Sequence, residues 1–320
     1  DEITWLPCGP IECGKIFVPV TKGLSTSERI QISLYRRKAT SGSSPRTLLL
    51  LPDREYSPDT RTLTEKALLT FGTAITKFNV ISVAPRGAVD AVLPAGNETE
   101  IGTLGMADDL EAVRAALNVK KVSIMGWGSG ATTATAFIMQ NPTKVQAAVL
   151  DTPIDPSTSL VKQAPQHIAA TRLGVETAMR WCASHLACPM NANVAKELDL
   201  LKTNIRLARV DLSITFQAVA RAATRTIVEG HAQELFSAIT AANNKDSKPL
   251  VALIGTAPTA VNAYGRCADV SRANAKKIVQ AHAAVKPYKF TIGNEATLYA
   301  MCAQIPESTR PLGSLQPAAI

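Results

Sequence analysis

The stretch Val122-Ser-Ile-Met-Gly126-Trp127-Gly128-Ser129-Gly130 decides how this chain is read. Val122 to Met125 is apolar enough for a buried strand, the glycines break it, and a helical run follows from about Gly130 to Gln140. Strand, sharp turn and helix are the setting of a Gly-x-Nu-x-Gly elbow, which lifts a nucleophilic side chain over a sheet. With Gly126 and Gly130 as the flanking glycines and Trp127 between, the nucleophile position falls on Gly128. The central residue of such a turn sits at positive φ, which glycine adopts without strain. The turn is therefore expected to survive while its nucleophile is gone. Ser129, one residue late, is the alternative nucleophile, but that register gives up the leading glycine.

Outward from this turn, strands and helices alternate. Strands are expected at Ile16 to Val20, Ile30 to Arg37, Thr47 to Leu51, Val80 to Ala84 and Val145 to Leu150. Thr47 to Leu51 is uninterrupted and apolar, as in a parallel strand buried on both faces. Helices are expected over about Thr60 to Lys77 and over Met106 to Leu117. In the second, Met106, Leu110, Val113 and Leu117 share a face, and Asp108, Asp109 and Glu111 come early, where the helix dipole favours acids. A βαβαβ order implies an α/β fold with a doubly wound, mainly parallel sheet. Beyond about Pro153 strand signals fade and helical periodicity takes over as far as Gln304. The expected division is a core over 1–152, a helical segment over 153–305 and a Pro-rich linker over 306–320.

Composition narrows the classes. The 320 residues are 46% hydrophobic, enough for a real core. No apolar run approaches the roughly 20 residues of a membrane span. The sequence starts at Asp1, as expected of a chain whose targeting segment has been removed. Its six cysteines allow 15 pairings. Neighbours in sequence pair most simply: Cys8 with Cys13, Cys182 with Cys188, and by remainder Cys267 with Cys302. No Cys-x-x-Cys spacing suggests a metal site, and disulfides imply an oxidising compartment. Residues 1–160 carry 16 basic and 16 acidic residues; residues 161–320 carry 18 and 10, so the second half holds the whole net charge of +8. The basic residues are dispersed, as on solvated helix faces; the other reading is a surface for an anionic partner such as an envelope component. No basic run with aromatic interleaving points to nucleic acid. Gly126-Trp-Gly-Ser-Gly lacks the lysine of a phosphate loop and the spacing of a dinucleotide fingerprint, so no cofactor is expected. Asn97-Glu98-Thr99 matches a glycosylation sequon.

Further segments follow in order: Trp5…Cys8…Glu12-Cys13-Gly14-Lys15-Ile16, Ile32-Ser-Leu-Tyr-Arg-Arg-Lys-Ala39, Ala84-Pro85-Arg86-Gly87, Asp108-Asp-Leu-Glu-Ala-Val-Arg114, the elbow, Asp151…Asp155-Pro156 and Tyr264…Cys267-Ala-Asp269. Together they resemble the secreted tripeptidyl-aminopeptidase-like α/β hydrolases, relatives of the proline iminopeptidases. The resemblance implies an α/β-hydrolase sheet with 153–305 as a helical cap. It also exposes departures. The family has serine where this chain has Gly128. Its glycine-rich oxyanion loop is here Leu51-Pro52-Asp53-Arg54-Glu55-Tyr56, and an acid before Pro-Arg-Gly is Ala84.

In this fold the triad runs serine, acid, histidine, with the last two on closing strands after the cap. The chain stops at Ile320, where the resemblance expects those strands to begin. A continued or clipped product, or a second chain segment, is expected to complete the sheet and cover its open edge. The four histidines, His167, His185, His231 and His282, all fall in the helical region. Asp151, just past a strand end, is the best-placed carboxylate. The expectation is a secreted or cell-envelope pseudo-hydrolase that binds or supports rather than cleaves. The alternative is an active secreted exopeptidase or esterase.

Overall fold

The computed structural model describes residues 3–24, 26–53, 59–88, 91–185, 187–190, 193–228, 230–254, 265, 267–284, 299, 302, 310–313 and 315. The chain divides into two units. One holds Asp1–Leu160, Ala260–Arg272 and Gln304–Ile320; the other holds Val161–Thr259 and Ala273–Ala303.

The first unit is a seven-stranded sheet in the order β1-β2-β3-β5-β4-β6-β7. Its strands are β1 (Leu6–Pro7), β2 (Glu12–Pro19), β3 (Arg29–Arg37), β4 (Arg46–Leu51), β5 (Phe78–Val83), β6 (Val122–Trp127) and β7 (Val145–Asp151). The first three strands and β5 pair antiparallel, while β5, β4, β6 and β7 run parallel. This is the α/β-hydrolase arrangement expected from the sequence. Strand β4 is buried along Thr47–Leu51 because parallel neighbours flank it and helices pack on it. The helix expected over 60–77 is three shorter pieces: α1 (Thr60–Glu65), α2 (Ala67–Phe71) and a 3₁₀ turn at Gly72–Ile75. Asp59 caps α1 through the amide of Thr62 at 2.9 Å.

Helix α3 (Thr103–Ala116) begins a turn earlier than expected, so its first turn carries no acid. Its N-terminus is served from far away: Asp269 accepts from the Thr103 amide and hydroxyl, both at 2.7 Å. Asp108 and Asp109 have other partners. Asp108 pairs with Lys22 and Arg310, and Asp109 pairs with Arg86. Helix α4 (Ser129–Gln140) follows the elbow.

The expected linker is not free where it is described. Leu312 and Leu315 are buried, the Leu312 amide donates to Asp269 O, and the Gly313 amide donates to Pro156 O. The apolar residues in this Pro-rich tail find a surface in the first unit, which composition does not reveal.

Described residues of the second unit form helices and no strand: α5 (Leu160–Ser184), α6 (Val194–Arg206), α7 (Phe216–Val228), α8 (Ala232–Asn243), α9 (Lys248–Ile254) and α10 (Arg272–Ala284). Leu198, Leu201, Val219, Leu235, Phe236, Ile239 and Leu250 meet in a core of their own. The boundary falls at Leu160 rather than 152, and Ala260–Arg272 returns to the first unit. No helix among the described residues is long and apolar enough to cross a membrane. Cys8 pairs with Cys13 and Cys182 with Cys188; Cys267 and Cys302 are also disulfide-bonded.

Candidate functional site

Strand order creates the site. The chain goes from β4 to β5 on one side, then crosses to β6 on the other, so β4 and β6 are neighbours at a switch point. Ligands of open α/β sheets bind in the crevice at the carboxyl ends of such strands. Leu51 of β4 pairs with Gly126 of β6. Pro52 and Asp53 therefore emerge beside Trp127 and Gly128.

The elbow keeps its shape. Gly128 has φ +56° and ψ −125°, a region where a side chain is strained. Its amide donates to Asp151 O at 3.0 Å and its carbonyl accepts from the Thr132 amide at 3.1 Å. Gly130 lets helix and strand close up: a Cβ there would stand 2.0 Å from Leu51 O. Trp127 packs its indole against Phe71, with ring centroids 6.5 Å apart.

Above Gly128 stands Asp53. A Cβ on Gly128 would lie 1.9 Å from Asp53 Oδ2 and 2.7 Å from its Cγ. The same Oδ2 accepts from the Ser129 amide at 2.8 Å. That amide belongs to the residue after the nucleophile position, the one that contributes an oxyanion-hole N–H in this type of elbow. A carboxylate thus lies on the donor and in the room of the missing side chain. The sequence named Asp53 as a departure from a glycine loop; the signal missed was that its short acidic side chain reaches back over the elbow. Arg54 lies outside the described residues.

Beneath the elbow a cavity of about 30 Å³ is lined by Leu51, Val83, Ala84, Met106, Leu110 and Ser129, among others. That is room for a water molecule or two. Asp109 also lines it, and its carboxylate is held by Arg86 at 2.6 and 2.7 Å. Arg86 further donates to the carbonyls of Val20, Glu100 and Pro19, so all five of its N–H groups are used. Both residues are buried, at 3% and 4% exposure, and a pair so placed is a structural staple. Burial opposes the charge of Arg86, and Asp109 more than offsets it, so the guanidinium pKa lies above its ordinary value. Burial pushes the Asp109 carboxyl up, against the pull of Arg86.

The other candidates do not gather here. Asp151 is exposed at the end of β7, and it is its carbonyl, not its carboxylate, that meets the elbow. All four histidines belong to the helical unit. His231 lies 3.0 Å from Glu234, and His185 stacks on Trp181 with Nδ1 at 2.8 Å from the Trp181 carbonyl. The side chains of His167 and His282 are outside the described residues.

The sequence profile described as the alpha/beta hydrolase fold matches residues 75–252, more than half the chain. The chain belongs to the α/β hydrolase fold family. It is similar to the serine protease Hip1 of Mycobacterium tuberculosis and of Mycobacterium bovis, with 28% identity over 100 residues. That stretch is 31% of this chain and 19% of Hip1, so less than a fifth of the relative is spanned. Among solved structures, epoxide hydrolase VrEH1 from Vigna radiata matches 50% of this chain and 44% of its own, with a TM-score of 0.38 and 16% identity. The naproxen esterase of Bacillus subtilis matches 45% of this chain and 44% of its own, with a TM-score of 0.33 and 16% identity.

Proposed function

We propose that this chain is a secreted, non-catalytic member of the α/β hydrolase family, related to the tripeptidyl-aminopeptidase-like group, and that it serves as a binding or structural component of an extracellular or cell-envelope assembly. One observation carries the reading: the Asp53 carboxylate stands where a nucleophilic side chain on residue 128 would rise. Loss of a triad nucleophile alone costs on the order of a millionfold in turnover. A carboxylate on the oxyanion donor also repels the negative charge that acyl transfer develops. Disulfide-bonded cysteines in both units favour an oxidising compartment. Strand β7 supports a structural role: among the described residues it pairs only with β6, and Gln146 to Val149 are exposed. A partner segment completing the sheet there, and an anionic envelope component at the basic helices, are part of the proposal.

The test is labelling with a fluorophosphonate probe, followed by digestion and mass spectrometry. The reading expects no labelled serine. A probe adduct on Ser129 would overturn it in favour of an active serine hydrolase.

A further inference from the structure

A second cavity lies well away from the elbow. In the sheet order β2 is separated from β6 by β3, β5 and β4, about 19 Å at the usual strand spacing. The cavity beside β2 has a volume of about 830 Å³, within the roughly 300–1,000 Å³ of small-ligand sites. Ile16, Val18 and Pro19 of β2 line one side, and Ala112 and Ala115 of α3 with its C-cap Leu117 line the other. Arg36 and Arg29 also line it. They pair with Glu12 and Pro19, the two ends of β2, so the trough follows that strand for roughly 20 Å.

One end is polar and rigid. The Arg36 guanidinium stacks on the Trp5 ring, 4.0 Å from its centroid. The ring rests on Gly14, where a Cβ would come within 3.0 Å of it. Arg36 is tied to Glu12 Oε2 through Nε at 2.7 Å and Nη2 at 2.6 Å, which leaves N–H groups of its fork for a further acceptor. Lys38 holds the other Glu12 oxygen at 2.8 Å. Two cations on one carboxylate make this end net positive, and the described residues lining the cavity include no Asp or Glu.

We propose that the trough binds a fatty carboxylate, with its head on Arg36 and its alkyl chain along β2 and α3. The head contact is charge-assisted, and the chain takes water off apolar walls. Arg29, at the opposite end, donates to the Phe17 carbonyl and takes no part. The site uses nothing of the elbow and is independent of any hydrolase activity.

The test titrates the intact chain with decanoate by calorimetry, beside octanoate, decanol and phosphatidylglycerol vesicles. Saturable binding of decanoate is expected. Each buried methylene is worth about fourfold in Kd, so octanoate should bind roughly tenfold more weakly. Decanol on the parent, and decanoate on Arg36→Gln, should also bind roughly tenfold more weakly. Arg36→Lys should cost less, and Arg29→Gln nothing. Decanoate brominated next to its carboxylate should quench tryptophan fluorescence in the parent and not in Trp5→Phe; bromine at the chain end should not quench. Ala115→Trp, at an exposed helix position, fills the trough without touching the Glu12 pair and should abolish binding, which decides the matter if Arg36→Gln folds poorly. Equal affinity for decanol, an equal loss in Arg29→Gln, undiminished binding in Ala115→Trp, or vesicle binding without saturable decanoate binding overturns the proposal.

Discussion

Asp53 and a side chain at position 128 exclude each other: the carboxylate oxygen of one lies 1.9 Å from where the Cβ of the other would be. Replacing Gly128 alone therefore does not rebuild an elbow. Gly128→Ala is expected to cost about 2 kcal/mol or more, from positive-φ strain and the collision together. Asp53→Gly in the same chain removes the collision and leaves the strain. Urea denaturation of the two single variants and the double variant should give a favourable coupling of about 1–3 kcal/mol. Additive effects would mean the two side chains do not compete for the space.

Asp269 is expected to matter more than its place in a poorly patterned region suggests. Its carboxylate meets both the amide and the hydroxyl of Thr103. Asp269→Ala strands two buried donors and should destabilise by roughly 1–3 kcal/mol. Asp269→Asn keeps one acceptor and should cost less. Hydrogen exchange in the first turn of α3 should rise in the alanine variant; unchanged protection there would show that Asp269 is not the cap.

The Glu12 carboxylate sets an acid-side pH dependence. Burial works against its charge, and hydrogen bonds from Lys38 and Arg36 outweigh that, so its pKa lies below the ordinary value. A lowered folded pKa means the stabilisation is fully present above the unfolded value of about 4.5 and is lost as pH falls through the folded one. The stability difference between the parent and Glu12→Gln should be constant near neutrality and shrink through that acid window. Denaturant melts from pH 7 to pH 3 measure it, and a difference that grows on acidification contradicts the assignment.

Among the described residues β7 is an edge strand, which gives a different kind of outcome. Val149 is 59% exposed, so Val149→Lys should change the stability of the isolated chain by no more than about 0.5 kcal/mol. A lysine on an edge strand also blocks edge-to-edge pairing. Light scattering should show less self-association than in the parent. A large loss of stability instead would mean that this face is already covered.

Much of the first unit was legible because its signals are local. Leu48 to Leu51 can only be buried, Val122 to Trp127 runs into glycines, and the spacing of 126, 128 and 130 names the turn. Helix α3 was found but mis-started, since its early acids mimic a first turn. Asp108 and Asp109 are held by Lys22, Arg310 and Arg86, Glu111 is held by Arg114, and the N-terminus is held by Asp269. Long-range charge pairs leave no periodicity to read.

The sequence by itself settled what is missing at the elbow: a hydroxyl that is not encoded at position 128 is absent in any conformation. Only the tertiary structure decided what fills the gap. The pairing of Leu51 with Gly126 brings the ends of β4 and β6 side by side, and from there a single carboxylate reaches the Ser129 amide. Residue identity is a local fact, whereas the neighbour that occupies a vacated volume is set by which strands are adjacent.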